Sequence, residues 1–282
     1  MRTCPRKRQS SNKGNTGSGL LESLREPVGQ GGSCSLLSGR SVSIKPGSHP
    51  SVLSILEEQI VNCERCPRLR EHCRQIAEVK RRAYREWEYW GRPVPGFGDP
   101  EARILLLGLA PGAHGSNRTG RMFTGDKSGE VLYSALHHTG FASQAESHSR
   151  EDGLVLKDVF ITASARCAPP DNKPTPEEIR NCRPFLEREL ELLPNLKVVV
   201  ALGKIAFDTY LDLLKSRGVI QSRAPFVFGH DREFEIATGG PILISSYHPS
   251  QQNTSTGKLT EKMLIDVFRR AARRAARPRS SP

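Results

Sequence analysis

Four cysteines of this 282-residue chain have the spacing of metal ligands. Cys63 and Cys66 form a tight C-x2-C pair, and Cys167 and Cys182 form a second, looser pair further along the chain. Four thiolates around one centre suit Zn(II) or an iron–sulfur cluster, and their spacing alone does not separate the two. Buried cysteines without a ligand are the alternative. We interpret Cys73 as a bystander, although it is also a possible substitute ligand.

Two loops carry the other residues that could do chemistry. The first, residues 108–130, reads GLAPGAHGSNRTGRMFTGDKSGE, and its glycines would let the backbone approach a ligand closely. It matches neither a P-loop nor a GxGxxG turn. The second, residues 245–260, reads SSYHPSQQNTSTGKLT and places His248 directly before a proline. Each loop follows a predicted strand, and ligands bind beyond the carboxyl ends of the strands in a doubly wound sheet.

Four short apolar runs indicate the strands that position these loops. Such runs are typical of parallel strands buried on both faces, and they lie at Arg103–Ala110, Asp158–Ser164, Lys197–Gly203 and Pro241–Tyr247. Helical patterns separate them, at about Ser128–His138, Thr175–Leu193 and Lys204–Ser216. This alternation predicts an α/β fold, a three-layer α/β/α sandwich around a central four-stranded parallel sheet.

Further elements are expected around this core. SVLSILEEQIVNC predicts a helix that begins near Ser51 and delivers Cys63 and Cys66. Residues 91–100, with three prolines and three glycines, are predicted to be a connecting loop. Two short runs, residues 226–228 and 234–237, predict a hairpin before the last strand, and residues 258–276 predict a closing helix.

The net charge of +12 is concentrated at the two ends of the chain. Residues 1–50 contain eight Lys or Arg and two Glu, residues 269–282 contain six Arg and no acid, and the segment between them balances at 28 against 28. Basic ends fit a salt-dependent attraction to a polyanion, and solvated tails that only aid solubility are the alternative. Residues 1–50, which include Cys4 and Cys34, are rich in Ser and Gly, so we predict a disordered basic arm. We expect a soluble, intracellular protein with no membrane association, since no apolar run is long enough to span a bilayer and no secretory signal is evident.

Three stretches together resemble a known family. GLAPGAHGSNRTGRMFTGDKSG, RCAPPDNKPT and YHPSQQNTSTGKLT are similar to the motifs of the family 5, or type b, enzymes of the uracil-DNA glycosylase superfamily. The resemblance covers about residues 51–270, which we predict to be a uracil-DNA glycosylase-like domain, with 271–282 as a basic C-terminal tail. It implies a structural [4Fe-4S] cluster held by Cys63, Cys66, Cys167 and Cys182.

The resemblance also implies an activity. Family 5 enzymes hydrolyse the N-glycosidic bond of uracil and of other deaminated bases, hypoxanthine and xanthine among them, in double-stranded DNA, and so initiate base excision repair. We accordingly expect a monofunctional DNA repair glycosylase that acts as a monomer in the bacterial cytoplasm or nucleoid. The enzyme must flip the nucleotide, hold the base and stabilise charge on both the base and the sugar.

Three residues are the candidates for these tasks. His248 resembles the histidine that donates a hydrogen bond to the departing base, and Phe123 resembles the aromatic residue on which the flipped base stacks. Asp126 could orient water or face the cationic sugar. A packed strand-end histidine, a core phenylalanine and a helix N-cap are the respective alternatives.

The base itself is expected to lie against small residues. Gly108, Ala110 and Ala163 are the predicted base-binding positions. Ala110 stands where uracil-specific enzymes place a water-activating Asp, and Ala163 stands where some relatives place an Asn that reads the uracil edge. A pocket without that amide discriminates less among deaminated bases, which favours a broad substrate range. His114 is expected either to belong to the site or to support it.

DNA contacts are predicted from polar side chains around the two loops. Asn117 and Arg118 of the first loop and Gln251 and Asn253 of the second are the candidates. The basic, aromatic segment Arg81–Trp90 could track the DNA backbone.

Two other functions remain open at the level of sequence. The first is the uracil-specific family 4 glycosylase, which shares the cluster but typically has an acidic residue in its first motif. The second is a noncatalytic iron–sulfur or zinc protein that only senses damaged DNA.

Overall fold

A mixed six-stranded sheet forms the centre of the molecule. The computed structural model describes residues 51–276. The strand order is β1-β3-β2-β4-β6-β5. In chain order the strands are β1 (Phe97–Gly98), β2 (Ile104–Gly108), β3 (Val159–Ala163), β4 (Val198–Leu202), β5 (Arg232–Phe234) and β6 (Ile242–Ser246). The four inner strands are parallel, and they lie within the four apolar runs of the sequence.

The prediction of a four-stranded parallel sheet is wrong at the two edges, where the structure adds an antiparallel strand on each side. Strand β1 pairs antiparallel with β3, and β5 pairs antiparallel with β6. Strand β1 has only two residues and lies in the segment predicted as a loop. The predicted hairpin between residues 226–228 and 234–237 is wrong as well, because β5 pairs with β6 instead. Edge strands of two or three residues form by backbone pairing with a neighbour, so they carry no side-chain period to detect.

Helices cover both faces of the sheet, which confirms the α/β fold and its three layers. The α-helices are α1 (Val52–Val61), α2 (Pro67–Val79), α3 (Ser116–Thr119), α4 (Lys127–His138), α5 (Pro176–Glu191), α6 (Lys204–Ser216), α7 (Gln251–Ser255) and α8 (Glu261–Ala276). On one face, Leu106 and Val200 pack with residues of α4 and α8. On the other face, Leu105 and Val199 pack with residues of α5 and α6. Alternate strand residues thus fill two cores, as two-sided burial requires.

Local capping signals explain several helix starts. Ser51 is the N-cap of α1, as predicted, and its side chain accepts a hydrogen bond from the Ser54 N–H at 3.1 Å. Thr175 begins α5 with a capping box to Glu178. No helix among residues 51–276 has the length and apolarity to cross a membrane.

The closing helix changes the predicted boundary of the C-terminal tail. Residues 271–276, predicted to be tail, belong to α8, and Ala271 and Ala275 are buried against the sheet. Arg270 donates two hydrogen bonds to the carboxylate of Asp231, at 2.8 and 2.7 Å. The predicted arm of residues 1–50 and the last tail residues, 277–282, lie outside the described part.

Candidate active site

Two predicted site residues from distant parts of the chain lie side by side. The rings of Phe123 and His248 have their centroids 5.8 Å apart and their planes tilted by 30°. The Phe123 ring also packs on the last residue of β2, because a β-carbon on Gly108 would lie only 3.0 Å from it. An aromatic face and a histidine therefore meet at the carboxyl end of the parallel sheet, where ligands of this fold class bind.

His248 is placed by the end of β6 and the start of α7. Its backbone carbonyl accepts a hydrogen bond from Nδ2 of Asn253 at 2.9 Å, and Ser250 caps α7 just beyond it. Gly203, at the end of β4, packs close enough that a β-carbon there would lie 3.3 Å from Cβ of His248. Burial lowers the pKa of His248 to about 4. The imidazole is therefore neutral at physiological pH and carries one N–H that can donate.

Asp126 has two neighbours that define its position. It is the N-cap of α4, where Oδ1 accepts a hydrogen bond from the Gly129 N–H at 3.0 Å. Its other oxygen, Oδ2, faces the first loop, at a point only 2.8 Å from a β-carbon on Gly112 and 2.1 Å from one on Gly115. Burial raises the pKa of Asp126. The N-cap alternative is therefore present in the structure, while one carboxylate oxygen remains directed at the glycine loop.

The predicted base-binding positions line the ends of two adjacent strands. Gly108 and Ala163 are register partners in β2 and β3, and both are buried. The Gly108 carbonyl accepts hydrogen bonds from the N–H and the hydroxyl of Ser164, at 2.9 and 3.1 Å. Ala110 lies two residues beyond β2 and is partly exposed. Small residues therefore occupy all three positions, and Gly108 lies against the Phe123 ring.

Asn117 is buried, contrary to what its predicted DNA contact requires. Its side chain is fully enclosed, and Nδ2 lies 3.4 Å from the backbone carbonyl oxygens of both Cys73 and Ala113. Its Oδ1 is buried without a hydrogen-bond partner. Asn117 thus joins α2 to the glycine loop from inside the protein.

Arg118 is also buried, which is contrary to its predicted contact with DNA. Its guanidinium lies between two aromatic rings, 4.0 Å from the centroid of Tyr84 and 4.1 Å from that of Trp87. It donates to the carbonyl oxygens of His114 at 2.7 Å and Gly125 at 2.8 Å. Arg118 therefore fastens the basic, aromatic segment to the site loop by cation–π contacts.

The two predicted DNA contacts of the second loop differ in their surroundings. Gln251 is exposed at the first position of α7. Asn253 is partly buried, and its amide is engaged with the His248 carbonyl as described above. Gln251 is therefore placed for a contact with a ligand outside the protein, whereas Asn253 braces the loop that carries His248.

Two supporting residues escaped the sequence analysis in these roles. Tyr89 Oη lies 3.1 Å from Nδ1 of His114, so the basic, aromatic segment touches the glycine loop a second time. The charge and aromatic rings of this segment indicated a contact with the DNA backbone. The same residue types also serve its packing on the glycine loop, which the sequence pattern did not indicate. The second residue is Arg121, which forms an ion pair with Asp152.

The predicted metal ligands converge from four elements. Cys63 follows α1, Cys66 is the N-cap of α2, Cys167 follows β3, and Cys182 lies in α5. Burial raises the pKa of Cys182 to about 11, and the thiols of Cys66 and Cys63 lie close enough to add to this shift. Among residues 51–276 no three His, Cys, Asp or Glu side chains are arranged to hold a single metal ion.

Cys73, interpreted as a bystander, lies next to the predicted ligands. It is fully buried in one apolar cluster with Cys66 and Cys167, and its thiol donates to the Ala168 carbonyl at 3.6 Å. Ala113 of the glycine loop packs against this same cluster. This cluster thus touches the glycine loop of the candidate site. The i, i+4 spacing of Leu69 and Cys73 on α2 was the available signal for this burial.

Comparison with known proteins agrees with this geometry. The family model described as "Uracil DNA glycosylase superfamily" matches residues 95–272. The chain is 52% identical over 218 residues to a type-5 uracil-DNA glycosylase of Thermus thermophilus, which covers 77% of this chain and 96% of the relative. A type-5 uracil-DNA glycosylase of Mycobacterium bovis is 48% identical over 214 residues, 76% of this chain and 78% of the relative.

These matches define the class of protein: the chain belongs to the uracil-DNA glycosylase superfamily. Within it, the chain groups with the type-5 proteins. A type-4 uracil-DNA glycosylase of Pyrobaculum aerophilum is more distant, at 29% identity over 199 residues, 70% of this chain and 83% of the relative. The family 5 resemblance of the three sequence stretches is confirmed.

Proposed function

We propose that this protein is a monofunctional uracil-DNA glycosylase that hydrolyses the N-glycosidic bond of uracil in double-stranded DNA and so initiates base excision repair. The observation that carries the proposal is the pairing of Phe123 with His248 at the carboxyl end of the sheet. Membership of the superfamily supplies the reaction class. A flipped base would stack on the Phe123 ring, a contact worth about 1 to 3 kcal/mol per base.

The neutral imidazole of His248 would stabilise the leaving group. When the glycosidic bond breaks, negative charge develops on the base. A fixed N–H donor stabilises this charged transition state more than it stabilises the ground state. The pKa of about 4 keeps His248 uncharged, so the donor needs no protonation at neutral pH. By analogy with oxyanion holes, we expect it to contribute roughly 3 kcal/mol to the transition state.

Asp126 would act on the opposite charge. Its Oδ2 is directed at the glycine loop rather than at the helix it caps. A carboxylate there would orient the attacking water or oppose the positive charge on the sugar. The capping bond to Gly129 fixes the carboxylate in one orientation, so capping and catalysis are compatible.

We also propose hypoxanthine and xanthine as further substrates. Ala163 brings no amide to the base, and Gly108 and Ala110 bring no side-chain hydrogen-bonding group at all. A site that leaves few polar groups unpaired with the wrong base discriminates weakly. We further propose that the protein acts as a monomer in the bacterial cytoplasm or nucleoid, where its DNA substrate would lie.

Base release is the direct test. The wild type and His248→Ala are incubated in parallel with excess duplexes that contain uracil, hypoxanthine or no lesion. We expect multiple turnovers on both lesions and a collapse of both in the variant. Stoichiometric retention of damaged DNA without release would favour the sensor, and release from uracil alone would reject the broad range.

A [4Fe-4S] cluster held by Cys63, Cys66, Cys167 and Cys182 is part of the proposal. The chemistry of the donor set supports this proposal: Cys66 and Cys167 lie in one apolar cluster with Leu69 and Ala168, and Cys63 and Cys66 lie close enough to Cys182 to raise the pKa of its thiol. The iron–sulfur cluster would supply a structural crosslink between the elements that carry these cysteines. It is not required to take part in bond cleavage.

Absorbance and metal content test the cluster. An iron–sulfur cluster gives a broad visible band, whereas zinc gives none. We expect Cys167→Ala to lose both the band and the iron. Cys73→Ala, buried in the same apolar region, is the matched control and should keep them. Loss of iron in both variants would make Cys73 a ligand, and zinc in place of iron in the wild type would reject the cluster.

A further inference from the structure

Phe123 is held in a backbone conformation that a bulky residue rarely adopts. Its φ is +53°, in the left-handed region. Its carbonyl oxygen is also pressed against α4, because a β-carbon on Gly129 would lie 1.7 Å from it. Such a conformation persists only where the surrounding structure over-determines it. The residues on either side of Phe123 are therefore the place to look for a brace.

Arg121 supplies that brace from two positions before Phe123. Its Nη1 and Nη2 donate to the two carboxylate oxygens of Asp152, at 2.8 and 2.6 Å. Nη2 also donates to the Ser147 hydroxyl at 2.6 Å, and Nε donates to the Thr124 hydroxyl at 2.9 Å. The side chains of Arg121 and Asp152 are only 4% and 11% exposed. A bidentate, buried pair of this kind fixes both direction and distance.

The same network grips both neighbours of Phe123. The hydroxyl of Tyr133, on α4, donates to the Met122 carbonyl at 2.7 Å, and the Thr124 hydroxyl lies 2.7 Å from that of Ser147. Met122, Thr124 and Tyr133 are all buried. Phe123 is thus clamped on each side, and its ring packs on Gly108 and lies beside that of His248.

Asp152 links this clamp to a separate loop. It accepts hydrogen bonds from the backbone N–H groups of His148 at 2.8 Å, Ser149 at 3.2 Å and Leu154 at 3.0 Å. The Ser147 carbonyl in turn accepts from the Gly125 N–H at 3.2 Å. The loop before β3 is therefore built around one carboxylate that points at Arg121.

We propose that Arg121 and Asp152 are positioning residues that set the pose of Phe123 for the flipped base. The inference rests on the proposed function, in which Phe123 is the stacking surface. Neither residue touches the base. Their effect on turnover passes entirely through the ring of Phe123, which distinguishes the pair from an ion pair that only stabilises the fold.

The chain offers a matched control for breaking this pair. Arg103 and Asp158 form a second bidentate pair, with Nε donating to Oδ1 at 2.8 Å and Nη2 donating to Oδ2 at 2.5 Å. Asp158 also has a positive φ, and the pair lies at the opposite, amino end of β2 and β3. Asp158→Asn therefore makes the same chemical change in the same fold, away from the site.

Kinetics in two backgrounds, the wild type and Phe123→Ala, separate positioning from stability. We expect Asp152→Asn to lower kcat/KM on uracil duplex by about tenfold or more, since displacements near 1 Å in a site can cost about 100-fold. Asp158→Asn should leave kcat/KM within about twofold at a temperature where both variants are folded. In a Phe123→Ala background, Asp152→Asn should cost little further activity. Full additivity of the two losses would overturn the proposal.

The pose of the ring is measured independently of activity. With ¹³C-labelled phenylalanine, the Phe123 ring resonance, assigned from Phe123→Leu, should shift in Asp152→Asn and stay in place in Asp158→Asn. If Asp152→Asn does not fold, Ser147→Ala, which removes one contact of Arg121, is used in its place. An unmoved resonance would overturn the inference. If the resonance shifts but Phe123→Ala is fully active, the positioning stands and the stacking role of Phe123 fails.

Discussion

The carboxylate of Asp126 occupies the space that a side chain on Gly115 would need. A β-carbon built on Gly115 lies 2.1 Å from Oδ2 of Asp126, far inside van der Waals contact. The first loop can therefore close over the N-cap of α4 only where this position is glycine. The glycines of the loop serve this close approach of backbone and carboxylate, in addition to any approach to a ligand.

Gly115→Ala should displace Asp126 and damage both stability and turnover. We expect a loss of about 1 to 3 kcal/mol in the free energy of unfolding, typical of overpacking, and a lower kcat. Urea denaturation and a turnover assay measure the two effects. Gly240→Ala is the control, because a β-carbon there would lie 3.4 Å from its nearest neighbour, the Ala237 carbonyl oxygen. It should change the free energy of unfolding by no more than about 0.5 kcal/mol. A fully active Gly115→Ala would contradict this account of the loop.

Asp126→Asn separates capping from catalysis. Asparagine is as good an N-cap as aspartate, so the free energy of unfolding should change by only about a few tenths of a kcal/mol. The amide lacks the charge that the sugar or water requires, so we expect kcat to fall by roughly 100-fold. Asp126→Ala should lose both cap and charge. An active Asp126→Asn would leave the residue with its capping role alone.

The lowered pKa of His248 predicts how the free energy of unfolding depends on pH. Its pKa in the folded protein, about 4, lies below the ordinary value of 6.5, so the unfolded chain binds more protons between these values. The free energy of unfolding should therefore rise with pH across this window and lose up to about 3 kcal/mol on acidification. Urea titrations of the wild type and His248→Gln measure the difference. An unchanged slope in His248→Gln would contradict the buried, neutral imidazole.

The same pKa makes a prediction for activity. Because His248 is already neutral, kcat should show no inflection near the ordinary histidine pKa of about 6.5. A rate profile in which activity requires a protonated group with such a pKa would contradict the neutral donor.

The arginines of α8 should divide into two pairs. Arg269 and Arg273 are exposed, whereas Arg270 pairs with Asp231 and Arg274 lies 2.9 Å from Glu233. We expect the double change of Arg269 and Arg273 to Gln to weaken DNA binding at low salt, with the difference vanishing at high salt. The same change at Arg270 and Arg274 should mainly lower stability. Equal affinities across a salt series would reject a DNA role for this helix face.

Deleting residues 269–282 would be a poorer test of the basic C-terminal end than these substitutions. Removing residues 269–282 would also remove Ala271 and Ala275, which are buried against the sheet. Any loss of DNA binding in that deletion would be mixed with damage to the core. Titrating fluorescent duplex with the two double variants avoids the ambiguity.

Local patterns in the sequence predicted the inner strands, the main helices and the residue types of the site. The four inner strands are visible because burial on both faces demands continuous apolar runs, and Ser51 and Thr175 mark helix starts because capping is a local bond. The loops with Phe123 and His248 were found for the same reason. Both follow such strands directly.

Which polar side chains are exposed at the site depends on packing between distant parts of the chain. Asn117 and Arg118 are polar, and the sequence indicated DNA contacts, yet both are buried and bonded to backbone carbonyls. Their partners come from α2, the glycine loop and an aromatic segment, whose approach depends on packing across the whole domain. A local pattern carries no information on such long-range contacts.

The same limit explains the edges of the sheet and the clamp on Phe123. Strand β1 exists because β3 offers it backbone partners. Arg121 and Asp152 are separated by a helix and a loop, and each looks like an ordinary surface charge in the sequence. Their 2.6 Å contact arises only when the loop before β3 folds back on the turn at Phe123. The residue types can be read from the local sequence. The contact between Arg121 and Asp152 depends instead on the packing of the two cores.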